Sequence, residues 1–267
     1  MKKFFALFLL LSLCLTVFGQ GEIDMQEKIL FQNERSISLS LNSNGFGAGY
    51  RFGKRKTYLS KTLYDIELAY IKHPKEMKVT PYTYPTSRRY VNGKLNLFVA
   101  LRPSIGFQRE LYSKEDKGSI AVRYYYGGGP SIGICKPIYY TFDLYLDPYY
   151  PPEETRDERY EFSQSQSSNW LISGRASFWK GFDGISLYPG LHLYSGLSFE
   201  YSSLNRLINA IDLELTFDAF SKKIPIMFTE YNSQFFLTLT IAYRFGWIID
   251  TKYKTPKITK EGQLLTD

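Results

Sequence analysis

Apolar and polar side chains alternate along the last third of the chain, most regularly over residues 235–245. Successive side chains of a strand point to opposite faces, so this segment predicts a β-strand with one apolar and one polar face. A length of about eleven residues suits a tilted transmembrane strand, and Tyr243, Phe245 and Trp247 supply aromatics for an interfacial girdle. The apolar positions are Phe235, Leu237, Leu239, Ile241, Tyr243 and Phe245.

The same alternation recurs upstream and predicts further strands. Clear segments cover residues 64–70, 95–101, 120–126, 191–201 and 207–217, and weaker ones cover 36–41, 46–52, 105–112, 131–140, 170–179 and 224–228. With the C-terminal segment there are about twelve strands if Asn42–Gly45 and Gly127–Pro130 are turns, and about ten if those glycines are kinks or bulges. We therefore expect an all-β fold, a transmembrane antiparallel β-barrel of about 12 strands with 10 as the alternative; both numbers have the even parity of single-chain bacterial barrels.

A soluble β-sandwich would alternate in the same way, so the polar faces have to distinguish the two folds. Several strands place two ionisable side chains on the polar face, which suits a lumen lined by paired charges. The aromatic content of 17% is high for a soluble protein. Outside the N-terminal segment no apolar run reaches the roughly 18 residues of a transmembrane helix. With the export signal described next, these features favour the membrane barrel.

Residues 1–19 have the features of a cleaved signal peptide. Two lysines precede an apolar stretch over residues 4–17, and Gly19 supplies the small residue before the cleavage site. The apolar stretch is shorter than the roughly 20 residues that a spanning helix needs. A lipoprotein signal with Cys14 as the lipidated residue is the alternative, but Leu13 stands where such signals have a small residue. We predict an exported protein of a Gram-negative bacterium.

Cleavage leaves a mature chain whose predicted parts follow from the strand pattern. The predicted division is a signal peptide (1–19), an N-terminal periplasmic segment (20–35), the transmembrane β-barrel (36–247) and a polar periplasmic C-terminal tail (248–267). Cys135 is then the only cysteine, so no internal disulfide can form. The strand before the tail resembles the aromatic-ended strand that the barrel-assembly machinery recognises, and we expect that machinery as a partner during biogenesis.

Two long connections are predicted to be extracellular loops, because long loops of such barrels usually lie outside the cell. Residues 73–89 are basic and rich in proline and tyrosine. They form either an ordinary solvated loop or a contact with the phosphates of lipopolysaccharide, with which Lys and Arg pair well. Residues 141–169 carry an acidic cluster. Carboxylates bind Ca²⁺, but this spacing matches no known ligand loop, so we interpret the cluster as solvated.

Four short stretches carry a family resemblance. They are residues 44–53 (NGFGAGYRFG), 71–76 (IKHPKE), 218–227 (DAFSKKIPIM) and 243–246 (YRFG). These stretches resemble sequences shared by uncharacterised outer-membrane β-barrel proteins of the Bacteroidetes. The resemblance implies a fold and a location, the cell outer membrane. It supplies no catalytic residues, because none of the stretches is diagnostic of a chemistry.

Known enzyme patterns of outer-membrane barrels do not match the chain. Residues 43–45 (Ser-Asn-Gly) fit part of a phospholipase pattern, but Leu41 occupies the position of its histidine, and a serine without a base is not activated. His192 and Ser195 lie on opposite strand faces, unlike the histidine and serine of lipid A deacylases. Metal-ligand spacings, phosphate-binding loops and nucleic-acid signatures are lacking. We predict no enzyme activity, no cofactor, no metal and no nucleic-acid partner.

The two histidines have simpler interpretations than catalysis. His73 lies in or beside a loop, next to a proline. His192 is predicted to face the lumen beside Glu200 or Asp212, as one member of a polar network.

Inward-facing charges are expected to form that network inside the barrel. Buried charges persist only when they are paired and hydrogen-bonded, so the acids and bases should close a narrow lumen against each other. The predicted lumen network comprises Asp65, Glu67, Lys94, Arg102, Arg123, His192, Glu200, Asp212, Glu214 and Arg244.

Three functions remain open on the sequence alone. The leading one is a non-enzymatic outer-membrane β-barrel protein, structural or a subunit of a larger envelope assembly whose C-terminal tail contacts a protein partner. The alternatives are a narrow channel or transporter for ions or small solutes, and a lipid-modifying outer-membrane enzyme with a site around His192. Outer-membrane lipid and lipopolysaccharide are expected partners of the barrel surface in each case.

Overall fold

The structure, a computed structural model, describes residues 32–57, 59–80, 89–114, 119–144, 152–160, 170–201 and 207–250. Within these ranges every regular element is a strand, and no helix is long and apolar enough to cross a membrane. The strands are β1 (Gln32–Asn42), β2 (Gly45–Arg55), β3 (Ser60–Ile71), β4 (Lys78–Val79), β5 (Tyr90–Val91), β6 (Asn96–Tyr112), β7 (Ala121–Pro137), β8 (Tyr139–Leu144), β9 (Glu154–Arg159), β10 (Trp170–Arg175), β11 (Ser186–Glu200), β12 (Leu207–Phe220) and β13 (Phe235–Asp250). The predicted signal peptide and most of the predicted tail lie outside the described residues.

Eight of these strands close into one antiparallel barrel, in the order β1-β13-β12-β11-β7-β6-β3-β2. The first and last barrel strands pair directly, with Ile37 opposite Phe245 and Leu41 opposite Ile241. Closure satisfies the backbone hydrogen bonds of both strands and leaves no open sheet edge. The all-β antiparallel barrel predicted from the alternation is confirmed.

The two ends of the barrel differ in what connects the strands. One end, here called the loop end, carries the connections 43–44, 72–95, 138–185 and 221–234. The other, the termini end, carries the outer ends of β1 and β13 and the connections 56–59, 113–120 and 201–206, none of which exceeds eight residues. At the loop end β10, β8 and β9 form a separate three-stranded sheet, and β4 pairs with β5 as a two-stranded hairpin.

Strand β13 presents the two faces that the alternation predicts. Leu239 and Ile241 point outward and are 58% and 55% exposed, whereas Thr238 and Thr240 are buried in the lumen. The inward residues of the other barrel strands are likewise buried or half-buried along most of their length. The period of two therefore assigns the side chains of β13 to the correct face.

The predicted number of about twelve strands is wrong, as is the alternative of ten, because the closed barrel has eight. Two pairs of predicted strands are single strands. Residues 95–101 and 105–112 both belong to β6 apart from Leu95, and residues 120–126 and 131–140 fall mainly in β7; each of these strands is 17 residues long.

Two prolines explain why these strands look broken in the sequence. Pro103 and Pro130 lack a backbone N–H, and both fall in an interval where β6 and β7 are not paired with each other. The strands nevertheless continue, because their other neighbours hold the register. Pro103 lies opposite Ile66 on β3, and Pro130 lies opposite Leu191 on β11.

The two remaining surplus strands lie outside the barrel wall. Residues 170–175 form β10 of the separate sheet, and residues 224–228 make only an isolated bridge, from Met227 to Lys94. The barrel strands also reach beyond the predicted limits of 36–247, since β1 begins at Gln32 and β13 ends at Asp250. The segments predicted as periplasmic are correspondingly shorter at the barrel ends.

An apolar cluster, here called the plug, fills the lumen at the loop end. Phe98, Phe220 and Phe236 point inward from three strands, with ring centroids 5.4–5.9 Å apart. Ile224 and Ile226 enter from the connection between β12 and β13 and are almost fully buried against the three rings. The connection thus folds back into the mouth of the barrel.

The glycines predicted as a possible turn, residues 127–129, lie inside β7 and allow it to approach β6. A Cβ atom on Gly129 would lie 2.3 Å from the backbone oxygen of Pro103 and 2.9 Å from Cα of Ser104. Such contacts are with backbone, so they cannot be relieved by rotating a side chain. At Gly53, by contrast, a Cβ atom would meet its nearest neighbours at an ordinary 3.6 Å.

We expect Gly129→Ala to destabilise the barrel by about 1–3 kcal/mol, because β6 must shift to accommodate the methyl group. Gly53→Ala is the matched control. It should be neutral or stabilising by up to about 1 kcal/mol, since alanine in a strand loses less backbone entropy than glycine. Urea titration of the refolded variants, followed by tryptophan fluorescence, measures both. Equal stability of the two variants would contradict the described packing of β6 on β7.

Candidate functional site

The lumen holds ionisable side chains in three layers below the plug. The layer nearest the loop end is centred on Arg102, the middle layer on Arg51 and Arg244, and the layer at the termini end on Arg123. An eight-stranded barrel is just wide enough for side chains to fill its interior. The three layers are therefore packed against one another along the barrel axis.

In the layer nearest the loop end, Arg102 is completely buried and forms a two-pronged ion pair. Its Nε and Nη2 atoms donate to the two carboxylate oxygens of Asp218 at 3.0 and 2.6 Å. Its Nη1 atom donates to Oε2 of Glu67 at 3.2 Å. The planar guanidinium fits this fork-to-fork geometry, which lysine cannot reproduce.

His192 lies in this layer, and the prediction that it sits beside Glu200 or Asp212 is wrong. The register places it opposite Asp218 on β12, and its ring stacks on Tyr194 with centroids 6.1 Å apart. Glu200 lies at the far end of the same strand. The face of His192 follows from the alternation, but its neighbours depend on the register between β11 and β12, which the alternation does not contain.

The middle layer links five strands through two arginines. Arg51 donates from Nε to Oδ1 of Asp65 at 2.7 Å, and its guanidinium lies 4.5 Å from the ring centroid of Tyr125. Arg244 donates from Nε to Oδ2 of Asp212 at 2.7 Å. The Nη1 atom of Arg51 lies 3.9 Å from that same Asp212 oxygen, so the two pairs touch.

Two further polar groups complete the middle layer. The hydroxyl of Tyr194 donates to Oδ2 of Asp65 at 2.7 Å, which satisfies the second oxygen of that carboxylate. Glu214 accepts from the hydroxyl of Thr216 at 2.8 Å and makes no ion pair with a described residue. Glu214 therefore faces the lumen but lies outside the ion pairs of this layer.

The layer at the termini end joins Arg123 to Glu200, Glu110 and Glu34. The first contact is a direct ion pair, and the other two span 3.7 and 4.0 Å. Lys61 pairs with Glu34, and Lys114 donates to Oε1 of Glu200 at 2.9 Å. This layer closes the lumen where the plug does not reach.

The layers leave little free space in the described lumen. One cavity of about 40 Å³ lies in the middle layer beside Arg51 and Tyr194, and another of about 10 Å³ lies in the layer at the termini end. A water molecule needs about 10–15 Å³ of such volume, so the two cavities admit a few waters and no larger solute.

Lys94 is the predicted network residue that the structure places outside the lumen. It precedes β6, which begins at Asn96, so the alternation of that strand does not extend to it. Its Nζ atom donates to Oε2 of Glu76 at 2.6 Å and to the hydroxyl of the outward-facing Tyr70 at 2.9 Å. Lys94 therefore belongs to the outer rim of the loop end. The other nine predicted residues face inward.

Several network residues were missing from the prediction. Glu34 and Lys61 lie at strand ends beyond the segments read as strands, and Arg51 lies in a glycine-rich strand with weak alternation. Asp218 is on the predicted polar face of β12 but was not assigned to the network. The inward position of Arg51 could have been predicted, because its neighbours Tyr50 and Phe52 lie on the opposite, apolar face.

The described residues offer no assembled catalytic group. Neither histidine receives a hydrogen bond from a described serine, threonine or cysteine side chain; His73 Nδ1 instead accepts from the backbone of Lys75 at 3.1 Å. Cys135 is buried. No group of three or more His, Cys, Asp or Glu side chains in the described ranges is arranged to hold a metal ion. A serine or cysteine nucleophile needs an adjacent base, which these contacts do not provide.

The acidic connection 141–169 carries part of the separate sheet rather than only a solvated loop. Asp143 accepts from the hydroxyl of Thr155 and Asp157 accepts from that of Thr141, both at 2.8 Å across paired strands. Burial disfavours the charge of Asp157, but hydrogen bonds from Lys180 and Thr141 outweigh it and hold the pKa of this carboxyl below its usual value. Asp143 and Asp157 therefore support strand pairing in the separate sheet.

Comparison with known proteins adds little beyond the fold. No protein-family model matches the chain, and no curated protein is similar to it in sequence. Among solved structures, Neisserial surface protein A is similar at 11% identity and a TM-score of 0.33, covering 82% of this chain and 96% of that one. Ail, the attachment invasion locus protein of Yersinia pestis, solved with the heparin analogue sucrose octasulfate, is similar at 9% identity and the same TM-score, covering 82% and 98%. The fold itself defines the class: a closed eight-stranded antiparallel β-barrel.

We expect Arg102→Met to destabilise the barrel by about 3–5 kcal/mol, because it leaves the carboxylate of Asp218 buried and unpaired. The double variant Arg102→Met/Asp218→Leu should recover much of that loss, since it removes both charges. Arg156→Met, which disrupts the exposed pair with Glu154, is the control and should cost less than about 1 kcal/mol. Urea titration of the wild type, Arg102→Met, Asp218→Leu and the double variant measures the cycle, and Arg156→Met is titrated beside them. Additive losses in the double variant would show that Arg102 and Asp218 are not coupled.

Proposed function

We propose that the chain is a non-enzymatic outer-membrane β-barrel protein with a sealed lumen, serving as a structural component or as a subunit of an envelope assembly. The observation that carries the proposal is a belt of exposed apolar side chains around the barrel. Soluble proteins rarely expose a contiguous apolar patch of more than a few hundred Å², whereas a lipid-facing barrel requires one. Each barrel strand contributes to the belt at least one side chain that is 41–67% exposed. One example from each strand is given by Leu39, Tyr50, Ile66, Ile105, Tyr126, Leu193, Leu215 and Leu239.

Aromatic side chains flank the aliphatic middle of the belt, which is the arrangement expected at the two membrane interfaces. At the loop end, Phe235 of β13 stacks on Phe217 of β12 with ring centroids 6.0 Å apart. The aliphatic middle of β13 consists of Leu237, Leu239 and Ile241, and the aromatics towards the termini end are Tyr243, Phe245 and Trp247. This distribution supports insertion with the barrel axis across the bilayer.

The closed lumen favours a structural role over conduction or catalysis. The plug covers the loop end, and the ion pairs of Arg102, Arg51 and Arg123 fill the space below it. The alternative of a narrow channel would require these layers to separate. The alternative of a lipid-modifying enzyme around His192 would require a buried residue beside the Arg102–Asp218 pair to reach lipid.

The orientation proposed for the barrel places the loop end outside the cell and the termini end in the periplasm. Long connections of bacterial barrels are usually extracellular, and both termini of an even-stranded barrel leave from the same side. A periplasmic partner of the C-terminal tail, the signal peptide and the Bacteroidetes resemblance stay predictions from the sequence.

A charge at the centre of the apolar belt tests the membrane assignment. We expect Leu239→Arg to destabilise the barrel in lipid vesicles by about 2–4 kcal/mol, because the arginine would face hydrocarbon. Phe235→Arg on the same face is the control; it lies at the loop end, near the proposed interface, and should cost about 0–1 kcal/mol. Unfolding by urea in vesicles gives both values, and fractionation of the producing cells gives the location. Similar costs for the two variants, or a soluble wild-type protein, would overturn the proposal.

The sealed lumen predicts electrical silence. The refolded wild-type barrel, with insertion verified by protease protection, should produce no conductance steps in a planar lipid bilayer, because the plug and three ion-paired layers leave no continuous water path. Gly53→Ala, which leaves the packing unchanged, should be silent as well. Reproducible steps from the wild type would instead favour the narrow channel.

A further inference from the structure

A separate cavity of about 460 Å³, here called the rim pocket, lies outside the barrel wall at the loop end. Its volume is in the range of small-molecule sites, about 300–1,000 Å³, and is far larger than the lumen cavities. It lies between the outward ends of β2 and β3, the β4–β5 hairpin and the sheet of β8 and β10. Its aromatic wall consists of Phe46, Tyr70, Tyr90 and Tyr140.

Fixed contacts shape one wall of the rim pocket. The buried hydroxyl of Tyr140 lies 2.7 Å from the backbone oxygens of both Val91 and Lys94 and donates its one proton to this pair. These contacts attach the base of the β4–β5 hairpin to the separate sheet. The ring of Tyr90 packs edge-on against that of Tyr140 with centroids 5.9 Å apart. The wall is therefore held in place without a ligand.

The lining of the rim pocket is strongly basic. Its basic residues are Lys72, Lys78, Arg89, Lys94 and Arg175, and its single acid is Glu76. Glu76 already accepts from Lys94 at 2.6 Å. The other four bases form no ion pair with any residue in the described ranges. An anion entering the pocket would therefore meet four cations that no acid of the described ranges neutralises.

The position of the rim pocket suggests what kind of anion it receives. Phe46 and Tyr70 lie on the outward faces of β2 and β3, with ring centroids 5.2 Å apart, at the upper edge of the apolar belt. A ligand in the pocket would have its charged part among the bases and its apolar part directly over the belt. A free anion gains no binding energy from the apolar edge of the belt. An amphiphile gains binding energy from the basic residues and from the apolar edge.

We propose that the rim pocket binds the phosphorylated headgroup of a glycolipid of the surrounding leaflet. This inference rests on the proposed outer-membrane function. Lys72, Lys78, Arg89 and Arg175 supply charge-assisted hydrogen bonds to phosphate oxygens, which are among the strongest polar contacts in proteins. The Phe46–Tyr70 pair packs against the first acyl carbons. Free inorganic phosphate shares the charged chemistry but lacks the apolar part.

The test uses the full chain refolded in detergent and a bisphosphorylated lipid A as the probe, with bound lipid counted by native mass spectrometry. Lys72→Gln/Lys78→Gln should weaken binding by on the order of tenfold or more, as expected for lost hydrogen bonds to a charged group. Lys222→Gln/Lys223→Gln is the matched control: it removes the same charge from the exposed connection between β12 and β13, and neither residue lines the pocket. That control should change binding less than about twofold.

Each alternative result has a defined meaning. Equal binding of lipid A with and without its phosphates overturns the inference, and so does an equal loss in the two lysine pairs, because general surface charge would then explain the effect. Displacement of lipid A by inorganic phosphate at similar concentration would contradict the claim that the bound phosphate belongs to a lipid. A barrel that inserts into vesicles yet fails these tests leaves the proposed function standing. A chain that does not insert removes both.

Discussion

The narrow interior of an eight-stranded barrel governs the rest of this structure. Side chains that point inward cannot reach bulk water, so each inward charge needs a partner inside the lumen. Arg102 meets this requirement with Asp218 and Glu67. Arg51 meets it with Asp65 and also lies 3.9 Å from Asp212, the partner of Arg244. Replacing such pairs by apolar residues is often neutral or stabilising, so stability alone does not explain them. Their shared partners cross several strands and thereby fix the register of strands whose glycine-rich faces would otherwise permit slippage.

The narrow interior also makes the lumen and the outer face of the barrel wall chemically different. Inside, close packing leaves a cavity of about 40 Å³ in the middle layer, which has room for a few waters only. Outside, the belt is apolar because the period of two places the sequence neighbours of each lumen charge on the opposite face of the strand. Chemistry that requires access to a ligand therefore has to lie at the ends of the barrel. The loop end, where short strands build a wall around the rim pocket, is where such access exists.

How far the sequence predicts this structure depends on which interaction decides each feature. The faces of β13 and the inward position of Arg244 follow from the period of two, a local property of the strand. The strand number does not, because Pro103 and Pro130 interrupt the pattern without ending β6 or β7. Whether a proline ends a strand depends on neighbours distant in sequence, here Ile66 and Leu191.

The candidate sites also differ in whether local periodicity or contacts between distant residues determine them. The alternation predicts the inward faces of nine lumen residues, but it does not predict their pairing. His192 faces Asp218 rather than Glu200 or Asp212, because register is a property of two strands together. Lys94 was assigned to the lumen by extending the alternation past the start of β6. Its actual partners, Glu76 and Tyr70, are brought to it by the β4–β5 hairpin, an element of two-residue strands with no periodicity to detect. The alternation of a barrel strand can be recognised in the sequence of that strand alone. A pocket formed by several connections can be recognised only when the fold is known.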